Sequence, residues 1–384
     1  MKLRSGSGNP APAGASADAQ RDTGGDEAPP SRASSTPEKI VRLAAQQVVD
    51  LLREIDRNAR HAGRTVPTGK ERDAVASTFW WAIQQFTEVD HRASDPDRTR
   101  CAMAAREVLH PWLLRSDYWS RSYLKPHGYA GDFRMLEWMY DLESDPCCDP
   151  TRPAIVNLLD YLYGTVHSVR AVWHRRRWYG NRIQRLRDAT PGREPVRILD
   201  LACGGSRYVR DCLGSGHNSD AVELTLLDQD PSALAFVERW LPETARFTTR
   251  LICGPVRDAF RLIDKHAPGS CGRFDLVIST GLFDYLEDAA AGRLLAEMCA
   301  LARPGGSIAV CNFAPCDPSR IVKNWVVDWP LVYRDCSALR GLVPDRHSIR
   351  FDCSPDGGLV YALIGAATAS GPRRSTEDHD RVAG

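Results

Sequence analysis

The sequence predicts an α/β protein, with a mostly parallel sheet closed by a C-terminal antiparallel hairpin, and an N-terminal helical domain in front of it. Three features predict it. In the second half, short runs of leucine and β-branched residues alternate with helical patterns, which builds a parallel sheet covered on both faces. In the first half, apolar residues recur at helical spacing. Near the C-terminus, Gly357-Gly358 leads into an apolar run that pairs with an earlier one as a hairpin.

Taken in order, residues 1–35 are Gly, Pro, Ala, Ser, Asp and Arg with almost no large apolar side chain. Such a segment cannot bury enough surface to offset its ordering entropy, so disorder is expected there, and likewise over 369–384. Order begins at Thr36, which suits an N-cap, with Pro37 in the first turn. Ile40, Val41, Leu43, Ala44, Val48, Leu51, Leu52 and Ile55 then share one helical pattern. A second helix is expected over Arg72 to Val89, with Phe79, Trp80, Ile83 and Phe86 inward. A third is expected over Ala102 to Leu114. The stretch Ser116 to Asp132 holds two glycines, a proline and three tyrosines and cannot be one continuous helix. Irregular backbone carrying aromatic and ionisable groups suits either a site or a packed inter-helix loop.

Pro153 to Ala189 reads as one long helix. Its His174-Arg175-Arg176-Arg177 run suits a solvated face better than a nucleic-acid contact, because no basic-aromatic interleaving accompanies it. Strands are expected over Val196 to Leu201, Leu224 to Asp228, Phe247 to Cys253, Phe274 to Ser279 and Ser307 to Asn312. His347 to Asp352 and Leu359 to Ile364 supply the hairpin. Helices are expected over Pro231 to Trp240, Val256 to Lys265 and Ala289 to Leu301. The chain then divides into a tail (1–35), a helical domain (36–150), a linking helix (151–190), a sheet domain (191–368) and a second tail (369–384).

Composition narrows the function class. The 384 residues are 43% hydrophobic and 26% charged, with a net charge of +1, so no whole-chain field draws the protein to nucleic acid or an anionic membrane. No apolar run approaches the ~18 residues of a membrane span. The N-terminus lacks an export-type apolar core, so a cytoplasmic location with reduced cysteines is expected for the 12 present. Cys147-Cys148 and the Cys311, Cys316 pair do not match zinc spacing, and metal-independent chemistry is expected.

In such a sheet, ligands bind beyond the carboxyl ends of the strands, at the switch point. The first strand ends in Asp200-Leu201-Ala202-Cys203-Gly204-Gly205-Ser206. The second ends in Asp228, 24 residues beyond Gly204, where a carboxylate can accept both hydroxyls of a ribose. The turn lacks the G-x-G-x-x-G spacing, which argues against a dinucleotide. Together with the Arg303-Pro304-Gly305-Gly306 turn before the fifth strand and the terminal hairpin, this resembles the Rossmann-like class I S-adenosylmethionine-dependent methyltransferases over roughly 196–365. The resemblance implies S-adenosylmethionine as cofactor. It implies that Asp200 and the Ala202, Cys203, Gly204 and Gly205 backbone hold its methionine end, and that Asp228 holds the ribose with Gln229 beside it. By the same resemblance, Val256 flanks adenine and Ser279, Thr280 and Gly281 border the sulfonium.

Three further segments resemble the bacterial methyltransferases that make 3-hydroxypalmitic acid methyl ester. They are Lys125 to Asp132 (KPHGYAGD), Thr280 to Leu286 (TGLFDYL), and Asn312 to Pro315 with Trp325 to Arg334. The Asp200 to Gly205 loop departs from that family's Gly-Pro form, which leaves room for a different acceptor.

Methyl transfer from a sulfonium is an in-line displacement that needs collinear positioning and exclusion of water. Orientation supplies on the order of 7–11 kcal/mol of such a barrier. A carboxylate acceptor is already ionised, whereas a hydroxyl acceptor wants a base. His127 and Tyr129 are the catalytic candidates from the helical domain, and Tyr285 and Asn312 those from the sheet rim. His127 is either a base or a structural histidine, and Tyr285 either a site residue or a packed aromatic. Asp132 either fixes its loop or meets the cofactor. Asp284 is a substrate contact or a helix N-cap, and Arg334 a fork for an acidic substrate or a partner of Asp328 or Asp335. The expected partner is a small-molecule substrate, fatty-acid-like or from specialised metabolism, methylated on a carboxylate or hydroxyl oxygen. Methylation of nucleic acid or protein, and a catalytically silent cofactor-binding scaffold, are the alternatives.

Overall fold

The computed structural model describes residues 36–143, 149–190, 195–214, 222–241 and 248–366. The tails expected at 1–35 and 369–384, and Cys147-Cys148, lie outside the described residues.

The helical half opens with α1 (Thr36–His61), α2 (Gly69–Arg92) and α3 (Asp95–Leu113). Two starts come earlier than the apolar periodicity indicates, because capping sets them. Thr68 Oγ1 accepts from Glu71 N at 3.2 Å while the Glu71 carboxylate accepts from Thr68 N at 2.7 Å, a reciprocal box that starts α2. Ser94 caps α3, with Pro96 in its first turn. Short helices α4 (Asp117–Leu124) and α5 (Phe133–Asp141) flank the turn that breaks the Ser116 to Asp132 stretch.

The long helix expected from Pro153 to Ala189 is two helices, α6 (Ala154–Gly164) and α7 (His167–Asp188). The break falls at Thr165 and Val166, just after Gly164. Thr165 Oγ1 donates to Leu162 O at 2.7 Å and accepts from Trp80 Nε1 at 3.2 Å, so its side chain holds the non-helical turn.

The sheet half contains β1 (Val196–Leu201), α8 (Arg207–Gly214), β2 (Val222–Asp228), α9 (Pro231–Trp240), β3 (Thr248–Cys253), α10 (Ala259–His266) and β4 (Phe274–Ser279). It continues with α11 (Asp288–Leu301), β5 (Ala302–Phe313), α12 (Cys336–Leu342), β6 (Ser348–Cys353) and β7 (Leu359–Gly365). Strand order is β3-β2-β1-β4-β5-β7-β6, and every pair is parallel except those of β7, which runs against both neighbours. This is the Rossmann-like sheet of class I methyltransferases with its closing hairpin. The switch point lies between β1 and β4, so their carboxyl ends face one crevice.

Two features join the halves. After β5 the chain makes a single π-helical turn, Val322–Val326, whose Val322, Trp325 and Val326 pack into the core of the helical half. Trp325 stacks on Phe86, and the carbonyls of Trp325 and Val326 meet Arg106 and His110. Helix α7 is the second link. Its Val169 and Val172 belong to the helical core, and its Tyr179 and Ile183 to the core beneath the sheet. Arg175 sits between those two sets.

Candidate active site

The floor of the site is made from strand ends. The turn after β1 is tightly wound: Ala202, Gly204 and Ser206 all have positive φ, at 54°, 53° and 47°. Two of these are not glycine, and such strain persists where the surroundings hold it. Here Asp228, at the end of β2, holds it. Its Oδ2 accepts from Gly204 N at 2.8 Å and its Oδ1 from Asp230 N at 2.8 Å, stitching two loops together. Burial raises the Asp228 carboxyl above its ordinary range, and the Asp230, Gly204 and Gln229 backbone donors oppose that rise.

Above the floor lies a cavity of about 350 Å³. Ala202, Cys203, Gly204, Gly205, Asp228 and Gln229 line it from the floor. Val256, Thr280 and Gly281 line it from the ends of β3 and β4. Two residues expected with them are set back. Asp200 is fully buried behind the turn, where Oδ2 accepts from Ser206 Oγ at 2.9 Å and from the Tyr208 hydroxyl, and Oδ1 has no hydrogen-bond partner among the described residues. That burial pushes the Asp200 carboxyl up to about 7, against the pull of Tyr208 and Ser206. Ser279 is likewise buried, with an unpartnered hydroxyl.

The roof comes from α5 and the loop before it, with Tyr129, Gly131, Phe133, Leu136, Glu137 and Tyr140 facing the cavity. It lies close on the floor. A Cβ at Gly205 would stand 2.6 Å from Glu137 Oε1 and 3.2 Å from the Phe236 ring, so a side chain there would have to push that carboxylate aside. Glu137 in turn accepts from Arg207 Nε at 2.8 Å, and Arg207 also reaches Asp141, clamping α5 to the start of α8.

The Lys125 to Asp132 loop is pinned at both ends. Lys125, itself at φ 52°, pairs with Asp328 at 3.1 Å and also reaches its carbonyl. Asp132 caps α5 through the Arg134 and Met135 amides and pairs with Arg121 at 2.7 Å. These contacts fix the loop, and Asp132 is not among the residues that line the cavity. Between those ends the Tyr285 hydroxyl donates to Ala130 O at 2.7 Å and accepts from Trp329 Nε1 at 2.9 Å. Tyr285 therefore lines the cavity with its ring and spends its hydroxyl on the loop. Burial and the neighbouring Asp284 raise its pKa well above the ordinary phenol value.

Four expected site residues stand elsewhere. His127 does not line the cavity; its Nδ1 lies 3.1 Å from Asp230 Oδ2 and ties the loop to the turn after β2. Asn312 is buried in the sheet rim, donating to Val332 O at 2.7 Å and accepting from Arg334 Nη1 at 2.9 Å. Arg334 is saturated by Asp288 at 2.8 Å, Phe283 O at 2.9 Å, Leu286 O and Asn312, so its fork has no room for a substrate carboxylate. Its ionic partner is Asp288, not Asp328 or Asp335. Asp284 is not a cap either: Glu287 precedes α11, and Asp284 Oδ1 accepts from Phe313 N at 2.7 Å.

The reading of α7 as a solvated basic face fails at Arg175, which is 3% exposed, while Arg177 faces outward. Ala171, Arg175, Tyr179 and Ile183 form one buried row at four-residue spacing. That row was the sequence signal for it, since an arginine in the middle of an apolar i, i+4 series points inward.

These residues fit a sulfonium nucleoside. The glycine turn leaves a cradle that side chains would fill, and each Asp228 oxygen accepts one protein hydrogen bond and so retains capacity for another. A methyltransferase domain family matches residues 198–306. No curated protein sequence matches the chain. Among solved structures, a possible exported protein from Bordetella parapertussis is similar at 14% identity, covering 85% of this chain and 97% of that one, with a TM-score of 0.47. The magnesium protoporphyrin IX methyltransferase of Synechocystis PCC 6803, with SAM bound, is similar at 11% identity over 52% of this chain and 83% of that one, TM-score 0.37. The CurJ carbon methyltransferase is similar at 10% identity over 86% and 99%, TM-score 0.43. With the strand order and the Asp228-braced turn, the matched segment identifies a class I methyltransferase fold whose cofactor is S-adenosylmethionine.

Proposed function

We propose that the chain methylates a small molecule on oxygen, and that the acceptor oxygen belongs to a carboxylate. The cavity carries the reading: it runs from the braced turn to a largely apolar and aromatic roof, and at about 350 Å³ it is the size of a small-ligand site. S-adenosylmethionine supplies an electrophilic methyl group on a sulfonium. The protein's part is to hold the reactants and keep water out. Asp228 and the turn from Ala202 to Gly205 bind the nucleoside and methionine ends. Phe133, Leu136 and Leu294 offer an apolar wall to the acceptor, and the pinned loop closes the roof.

A carboxylate is favoured over a hydroxyl because His127, the natural base for a hydroxyl, is engaged with Asp230 outside the cavity. Tyr129 does face the cavity, but burial and the nearby Asp228, Asp230 and Asp132 carboxylates raise its pKa well above the ordinary phenol value. It serves as a hydroxyl donor at neutral pH. The test is transfer of label from methyl-labelled S-adenosylmethionine into a small-molecule extract of the source cells, followed by mild alkali. Release as volatile methanol is the expected result. Alkali-stable label would move the acceptor to a hydroxyl or nitrogen, and label found only in RNA or protein would overturn the reading.

A further inference from the structure

Behind the main cavity lies a second, smaller one of about 40 Å³, room for a group the size of a carboxylate. The two cavities share Gly131, Leu136, Gly281 and Tyr285 as walls. Two of these four have no side chain. A Cβ at Gly281 would stand 3.1 Å from Arg175 Nη1, and one at Gly131 would stand 2.5 Å from the Trp329 ring. The partition is therefore thinnest beside the end of β4.

The inner cavity holds four buried ionisable groups on or near its wall. Lys323 Nζ lies 2.5 Å from Asp317 and 3.4 Å from the centre of the Phe313 ring, so its charge is already answered. Asp284 is committed to Phe313 N. Arg175 is different. It is 3% exposed, and among the described residues it forms no ion pair within 4 Å and its Nε and Nη2 have no hydrogen-bond partner; its neighbours are the Tyr140 hydroxyl, the Cys311 thiol and, more remotely, the Asp284 carboxylate. A guanidinium stays protonated inside a protein, and a buried one with two unsatisfied nitrogens and no carboxylate in direct contact is costly. Such a group is held in place by the packing of α7 between the two cores, and it is a fork waiting for a planar anion.

We propose that Arg175 is the acid-recognition residue of the acceptor site, and that the inner cavity receives a compact carboxylate of the acceptor past Gly281. This rests on the reading of the main cavity as a methyltransferase site and names its substrate class as carboxylic acids. It also relocates that recognition from Arg334, whose donors are spent.

The test uses the full chain saturated with S-adenosylhomocysteine, with decanoate and decanamide as probes in titration calorimetry. The acid should bind at least tenfold more tightly than the amide. Arg175→Gln should bring the two within about twofold, Arg175→Lys should keep most of the preference, and S-adenosylhomocysteine affinity should stay unchanged in both. Equal binding of acid and amide by the unmodified chain, including no binding of either, overturns the proposal without any variant having to fold. A preference that survives Arg175→Gln also overturns it. A tenfold loss of S-adenosylhomocysteine affinity in Arg175→Gln would assign the guanidinium to the cofactor's own carboxylate, again overturning it. Failure of the unmodified chain to bind S-adenosylhomocysteine at all would sink the methyltransferase reading itself.

Discussion

The floor and the roof of the cavity meet at the same crevice but are held by different forces. The floor is made from the ends of strands that neighbour one another in one sheet, and the β1–β2 and β1–β4 ladders fix its residues. The roof is assembled from α5, the loop before it and the chain after β5, joined by single side chains: Tyr285 to Ala130, Lys125 to Asp328, Trp329 to Tyr285. A ladder positions the strand ends whatever one side chain does, and only the turn above β1 leans on a single side chain, that of Asp228. A roof of single contacts depends on each of them. Substitutions in the floor should therefore act on binding with the fold intact, and those in the roof on closure and stability with cofactor binding intact.

The largest effect tests the floor. Asp228→Ala should weaken S-adenosylhomocysteine binding about a thousandfold, near 4 kcal/mol, as loss of two charge-assisted hydrogen bonds predicts. Circular dichroism should show the fold kept, because β2 stays paired on both sides. Affinity within threefold of the unmodified chain would remove Asp228 from the site.

Asp200 sharpens the comparison, since it belongs to the floor yet should act on stability. Its carboxyl is pushed up to about 7 in the folded chain, while an unfolded aspartate titrates near ~3.9. Between those values the folded chain binds a proton that the unfolded chain has released. Stability of the cofactor-free protein should accordingly fall as pH rises through that window, by roughly 4 kcal/mol in all, about 3 kcal/mol of it between about pH 5 and about pH 8. Asp200→Asn cannot ionise and should lessen the decline, leaving the share of Asp284, whose carboxyl burial pushes up to about 6, as read by urea unfolding at about pH 5 and about pH 8. An undiminished decline in the variant would mean that Asp200 contributes nothing to it.

Gly131→Ala tests the roof. The position has φ 74°, and an added Cβ would stand 2.5 Å from the Trp329 ring and 2.9 Å from the Tyr285 hydroxyl. Left-handed strain and displacement of Trp329 should together cost about 2 kcal/mol. Turnover should drop while S-adenosylhomocysteine affinity holds. A variant as stable and active as the parent would show that Trp329 yields easily and that the roof is looser than its contacts imply.

The floor was readable in the sequence because its signals are local: a glycine turn directly after one strand and an acid directly after the next. Asp228, Gly204 and Gly281 all lie where such a reading puts them. The inner cavity was not readable, because its walls come from α5, α7, the end of β4 and the chain after β5, brought together only by tertiary packing. Arg334 and Arg175 illustrate the limit. Both are buried arginines within aromatic-rich segments, and motif resemblance favoured Arg334. Only the partners separate them: four acceptors surround Arg334, while among the described residues two nitrogens of Arg175 have no acceptor.

His127 gives the smallest effect and the finest test of roof against chemistry. Its ring joins the Lys125 to Asp132 loop to Asp230, two residues beyond Asp228, through one 3.1 Å contact on a side chain about a quarter exposed. A contact of that kind contributes roughly 0.5 kcal/mol. If it only steadies the loop, His127→Ala should lower turnover a few-fold, leave S-adenosylhomocysteine affinity within about twofold, and leave the shape of the pH–rate profile unchanged. His127→Asn, which can still reach Asp230, should recover most of the loss. If instead the imidazole takes a proton from a hydroxyl acceptor, both variants should lose two to four orders of magnitude and one limb of the profile, since general-base catalysis is worth about 100- to 10,000-fold. Rescue by Asn thus distinguishes a strut from a base, and with it an acceptor that arrives ionised from one that must be deprotonated on the enzyme.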